Sequence, residues 1–263
     1  MNNLFQVKLS SRELLVLAAL LGYDSVFGVE DSDALCGSFD LKTLVRKSVQ
    51  QLERKKLVRY DLDGTLYINP HLRQAMACVC NADTVGFFST NLRSGKKILV
   101  YVLQKDTCVT TLQQASAGKY KLLLSDSVQE DLLIPGDIHT PKQLQLQEMM
   151  LLEEAQLAKE HMRSFDVDAA EERVSKHVQN ADAARYVAKI LSGNCGYLSV
   201  QLYRKTPLLY KAAYAGLFVA VDGRAISLSL DENRVIRFKA LTHGEAAGSI
   251  LPHLCPGTKE GIT

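Results

Sequence analysis

Residues 196–230, GYLSVQLYRKTPLLYKAAYAGLFVAVDGRAISLSL, hold strand after strand with no helical segment between them. Runs of strand length at 196–203, 208–214 and 216–221 are rich in Leu, Val, Tyr and Phe, residues that suit a pleated surface. Asp222-Gly223 is a tight-turn pair that returns the chain into 225–230, and 233–241 is a last strand. Strands that come in a cluster, not in alternation with helices, predict an α+β fold with an antiparallel sheet and exclude a doubly wound parallel one.

The same order stands upstream. Strand-like runs at 84–92, 97–105, 108–113 and 119–124 follow one another, with Arg93-Ser94-Gly95-Lys96 as the first turn. A helical segment precedes each cluster, 72–80 and 182–191, and a short one follows each, 127–133 and 245–251. A period of about 110 residues is too long for a solenoid. It predicts two related lobes, a pseudo-two-fold repeat of helix–strands–helix halves whose sheets join and so cover their edge strands.

Outward from the strands, the rest of the chain is helical or irregular. Ser10 and Glu13 have the spacing of a capping box, opening a helix with Leu14, Leu15, Leu17 and Leu21 on its apolar face. Residues 24–38 read as a loop, and Asp40 opens a second helix. Residues 57–60 and 65–68 flank Asp63-Gly64 as a hairpin. Helix, helix and hairpin over 9–69 give a winged-helix-like segment. Asn69 and Pro70 start the helix before the first cluster. Residues 134–141, with two Pro and one Gly, read as the linker, and 143–162, with no Gly or Pro, as a long helix. Asp166 and Asp168 cap the next helix, 169–179. The expected organisation is an N-terminal lobe, 1–135, comprising 9–69 and strands 84–124. A C-terminal lobe, 142–255, comprises helices 143–191 and strands 196–241, and the two form one compact unit.

Composition narrows the function. With 47% hydrophobic and 23% charged residues over 263 positions, the chain is neither disordered nor fibrous. No run reaches membrane-spanning length and Met1 to Leu9 lacks a signal-peptide core, so a cytoplasmic location is expected. The six Cys stand apart except for Cys78 and Cys80, and no C-x-x-C pair suggests a metal. No glycine-rich phosphate loop, nucleophile elbow or zinc-protease helix occurs. Asp31/Asp33, Asp166/Asp168 and Asp126/Glu130/Asp131 sit at loops or helix starts, where carboxylates cap helices. A protein without catalytic residues, cofactor or metal is the expectation.

Two binding surfaces remain. Between residues 40 and 59, Lys42, Arg46, Lys47, Arg54, Lys55, Lys56 and Arg59 face only Asp40 and Glu53, so 40–68 could bind DNA as a winged helix, with Lys47, Arg54, Lys55 and Lys56 on phosphates. Asp61 and Asp63 in the wing oppose that use. Alternatively, Tyr197, Tyr203, Tyr210, Tyr214 and Phe218 on successive strands, and Met149 and Met150 on the 143–162 segment, could anchor a protein partner or serve as core.

In layout the chain resembles, as a distant relative, the EspG-type chaperones of ESX (type VII) secretion systems. Leu9 to Leu17 matches their Leu-x-x-x-Glu-Leu helix. Arg204, Pro207 and the Asp222-Gly223-Arg224 turn match the strand, base, Pro, strand, turn series of their second half. The resemblance implies a central antiparallel sheet flanked by two helical subdomains. It also implies a non-enzymatic cytoplasmic chaperone that shields the apolar helical tip of a secreted helical-bundle partner. A winged-helix transcription regulator is the alternative.

Overall fold

The computed structural model describes residues 3–29, 41–91, 97–128, 147–163, 167–178, 180–193, 195–221 and 224–254. Strand β1 (Asn3–Ser10) runs into helix α1 (Ser11–Leu20), followed by α2 (Leu41–Arg54), the hairpin β2 (Val58–Tyr60) and β3 (Leu66–Ile68), and α3 (Pro70–Asn81). A meander of β4 (Thr84–Asn91), β5 (Lys97–Lys105), β6 (Cys108–Ser116) and β7 (Lys119–Ser125) ends the first half. The second half runs β8 (Gln147–Leu151), α4 (Leu152–Arg163), α5 (Val167–Ser175), α6 (Ala181–Leu191), then β9 (Gly196–Lys205), β10 (Tyr210–Val221), β11 (Arg224–Leu230), β12 (Val235–Leu241) and α7 (His243–Leu254).

Ten strands form one sheet in the order β1-β7-β6-β5-β4-β9-β10-β11-β12-β8. Read outward from β4 and from β9, the two halves match. Each meander is closed by the strand that begins its own half, β1 against β7 and β8 against β12, both antiparallel. The repeat therefore reaches further upstream than the sequence reading had it, because β1 and β8 belong to it. It also appears in the caps. Asn69 Oδ1 accepts the main-chain N–H groups of His71 and Leu72 at 3.0 and 3.3 Å, and Asn180 Oδ1 those of Asp182 and Ala183 at 2.9 and 3.3 Å. Each cap opens the helix that leads into a meander.

The structure corrects several expectations. The helix expected over 143–162 begins only at Leu152: Met149 and Met150 lie on β8, in register with Arg237 and Ile236. Helix-forming residues there are overridden by pairing to β12, a tertiary gain that outweighs tenths of a kcal/mol of propensity. The runs 208–214 and 216–221 are one strand, so the counterpart of β6 is β11 alone. The final helix spans His243–Leu254 with Pro252 inside it, opened by a second capping box in which Thr242 and Glu245 bond reciprocally at 2.7 and 3.1 Å. The expected loop over 30–38, the Asp166 cap, the linker 134–141, the turns 93–96 and 222–223, and nearly all of the helix 127–133 lie outside the described residues.

The chain divides into two compact units that interleave in sequence. The first holds Met1–Phe87, Ile98–Val128 and Leu202–Ala213, the second Phe88–Lys97, Gln129–Gln201 and Tyr214–Thr263. In the first, Leu14, Leu17, Leu52, Leu72, Met76, Leu103, Leu112, Leu122 and Leu124 form a buried core. In the second, Ala158, Val174, Val187, Ile226 and Phe238 do so between α4–α6 and the strands. Small Ala and Val on the helices let them lie close to the sheet.

Candidate functional site

Register assigns each side chain of the second unit's strands to a face. Leu217, Val219 and Val221 on β10, Ile226 and Leu228 on β11, Ile236 and Phe238 on β12 and Met150 on β8 share one face. Of these, Val219, Val221, Ile226, Phe238 and Met150 are buried in the core that α4–α6 complete. The opposite face carries Phe218, Ala225, Ser227, Lys239 and Leu241 toward one end, and Ser229, Arg237, Met149, Val235 and Leu151 toward the other. Helix α7 packs on β11 and β12, and its His253 stacks on Tyr214 of β10 at 4.8 Å.

On the outermost strand, β8, this face is open. Met149 is 52% and Leu151 50% exposed, against 2% for Met150 between them. Their strand, β8, closes the sheet order at this end. Beside them Arg237 donates from Nη2 to Asp231 Oδ2 at 3.0 Å and lies 3.1 Å from Met149 Sδ through Nη1. Asp231 also accepts the N–H groups of Val235 and Asn233, both at 3.0 Å. These bonds, that of Val235 foremost, hold its carboxyl below the ordinary 3.8. The turn is rigid: Arg234 takes φ +60° there, and its carbonyl accepts Leu152 N–H at 2.8 Å, sealing the end of β8. The result is a short apolar strip on a fixed strand with Arg237, Asp231 and exposed Lys239 at its rim. It can adsorb apolar side chains and read a nearby carboxylate. It has no group poised for bond-making chemistry, and among the described residues no three His, Cys, Asp or Glu are placed to hold a metal ion.

The sequence-predicted aromatics are mostly packed. Tyr203 is half-buried on the first unit's core. Tyr210 donates its hydroxyl to Ala82 O at 2.6 Å and takes Phe27 edge-on at 5.2 Å. Burial, with Asp83 nearby, raises its phenol pKa. Tyr214 lies between His253 and Gly216, where a Cβ would stand 2.6 Å from its Oη and displace the ring. Phe218 is buried and only Tyr197 is exposed. The structure thus brings Met149 to an open surface and Met150 to the core. Leu151 joins Met149 there, because in a strand it shares that face at i+2.

In the first unit α2 presents Lys42, Arg46, Lys47 and Arg54 outward, and Lys56 just beyond it is also exposed. Lys55 differs: its Nζ donates to Glu13 Oε1 and Oε2 at 2.6 and 2.9 Å and to Lys8 O at 3.0 Å. It completes the buried capping box of α1 and does not stand with the other bases. Lys56 has φ +58° at the end of α2.

No family model and no curated protein sequence matches the chain. Among solved structures, it is similar to the Mycobacterium tuberculosis type VII secretion system chaperone EspG5, solved in complex with the PE25–PPE41 dimer. The TM-score is 0.66 at 12% identity, covering 98% of this chain and 99% of that one. At that identity the likeness speaks for the fold: the protein has, from end to end, the EspG-type architecture of an antiparallel sheet flanked by helices.

Proposed function

We propose that the protein is a non-enzymatic chaperone of the type VII secretion kind, which holds a secreted helical-bundle partner by an apolar helical tip in the cytoplasm before export. The observation that carries this reading is the near full-length likeness to a type VII secretion chaperone solved in complex with the PE25–PPE41 dimer. The exposed Met149 and Leu151 add to it. Flexible, polarizable Met suits a surface that must accept an apolar tip, and Arg237 and Lys239 at the rim suit a carboxylate beside that tip.

The test is capture of the partner from the native cytoplasm by the tagged full chain. M149S/L151S should lower the captured amount about thirtyfold or more, the loss expected when central contacts of about 2 kcal/mol are removed. Because both side chains are already half in water, the melting temperature should move little. Undiminished capture by M149S/L151S would move the docking site elsewhere. Failure of the wild type to retain any helical-bundle protein would remove the chaperone reading.

A further inference from the structure

The turn between β9 and β10 has a shape that fold stability does not call for. Thr206 N donates to Leu209 O at 2.8 Å, Thr206 Oγ donates to the same carbonyl at 2.6 Å, and Leu209 N donates to Thr206 Oγ at 3.2 Å. Pro207 further restricts the backbone. On this rigid turn Leu208 is 93% and Leu209 53% exposed. Turns normally carry Gly, Asn, Asp or Ser, and two leucines in water stabilise nothing here.

Along its own two strands the tip carries charge of one sign. Arg204, Lys205 and Lys211 flank it and are exposed, and residues 196–221 contain no acid. Lys205 Nζ bonds the neutral side chain of Asn81. Two acids stand beside it, Asp83 and Asp106, the second donating its main-chain N–H to Asp83 Oδ2 at 3.2 Å. Another hairpin tip of this unit makes the contrast: Leu62 is fully exposed, but between Asp61 and Asp63.

We propose that the β9–β10 turn docks on an anionic lipid surface, with Leu208 and Leu209 entering the interfacial layer and Arg204, Lys205 and Lys211 meeting headgroup phosphates. Two leucines on a convex turn are too little for a specific protein interface, which needs about 800 Å² per partner. A bilayer closes around a convex apolar tip, and its anionic surface attracts the basic collar. No described helix is long and apolar enough to cross a membrane, so the contact is peripheral and reversible.

Sedimentation of the full-length protein with vesicles tests this. It should bind vesicles of phosphatidylcholine with about 30% phosphatidylglycerol, bind pure phosphatidylcholine far less, and be released as salt rises. R204Q/K211Q should lower the partition coefficient about 25-fold, roughly fivefold per base. L208S/L209S should lower it about tenfold. L62S should leave it unchanged. All these side chains are at the surface, and unchanged thermal melts confirm that the variants fold. Absence of binding to the anionic vesicles, equal binding to the neutral ones, or full binding by L208S/L209S would overturn the proposal. Loss of protein-partner capture by L208S/L209S without any vesicle binding would assign the tip to a protein instead.

Discussion

Lys55 shows what a basic residue read from sequence becomes once its neighbours are known. The capping box was legible because its two members are three residues apart. The third member, Lys55, lies 42 residues away and no local rule points to it. Its Glu13 partner is buried, so Lys55→Met leaves a carboxylate that keeps its Ser10 bonds but loses its cation. We expect a loss of about 2 kcal/mol in denaturant unfolding, the scale for a charged hydrogen bond broken at a buried group. A DNA-binding test on Lys55 would therefore read unfolding. Arg54→Gln/Lys56→Gln is the informative pair, and gel shifts at physiological salt should show no specific duplex retained by the wild type. Cys80 makes a second residue-scale prediction. Burial pushes its thiol up to about 12 from the ordinary 9.0. The thiol form is thus favoured in the folded state. Its contribution is complete below pH 9 and lost as pH rises from there toward 12. In the folded protein at pH 8, Cys80 should resist alkylation that proceeds after denaturation.

At the level of elements, β8 is where local reading failed, for a physical reason. Gln147 to Leu151 are mostly good helix formers, and nothing within the segment says that β12 lies alongside. β1 was also missed, although Phe5, Val7 and Leu9 alternate with Gln6 and Lys8, which is a strand's period. The pairing of β8 separates adjacent methionines: Met150→Ala should cost about 3 kcal/mol through the cavity it leaves, and Met149→Ala no more than about 0.5 kcal/mol. Equal effects would contradict the observed register. Two carboxylates hold the flanking turns and caps of this unit. Asp231 is depressed below 3.8, first by Val235 N–H, and Glu245 below 4.5, first by Thr242 N–H. Groups of this kind add stability that is present above their unfolded values and lost as pH falls through the folded ones. Stability should therefore decline below about pH 4.5, and Asp231→Asn should make that acid limb shallower in urea titrations.

Over the whole molecule, the repeat was legible because strand clusters and their leading helices recur in order, and the sheet order bears that reading out. The division of the chain was not legible from composition, because the exchanged pieces are short and carry no linker signature. Residues 202–213 fall in the first compact unit, although 134–141 had read as the boundary. This interleaving predicts how fragments behave. A fragment 1–135 keeps α1–α3 and β1–β7 but loses Tyr210, and with it the 2.6 Å bond to Ala82 O and the edge-on contact with Phe27. It also loses Lys205, whose N–H bonds Asp83 O at 2.8 Å where the chain enters β4. Since β9 is the sheet neighbour of β4, the fragment leaves β4 as a long, apolar, unpaired edge. Such an edge recruits other chains. Expressed alone, the fragment should self-associate in size-exclusion chromatography and melt without a cooperative transition, whereas the full chain melts cooperatively. A monodisperse fragment with a sharp transition would show that residues 1–135 fold without the 202–213 hairpin, and that the hairpin is an addition to the first unit and not a part of it.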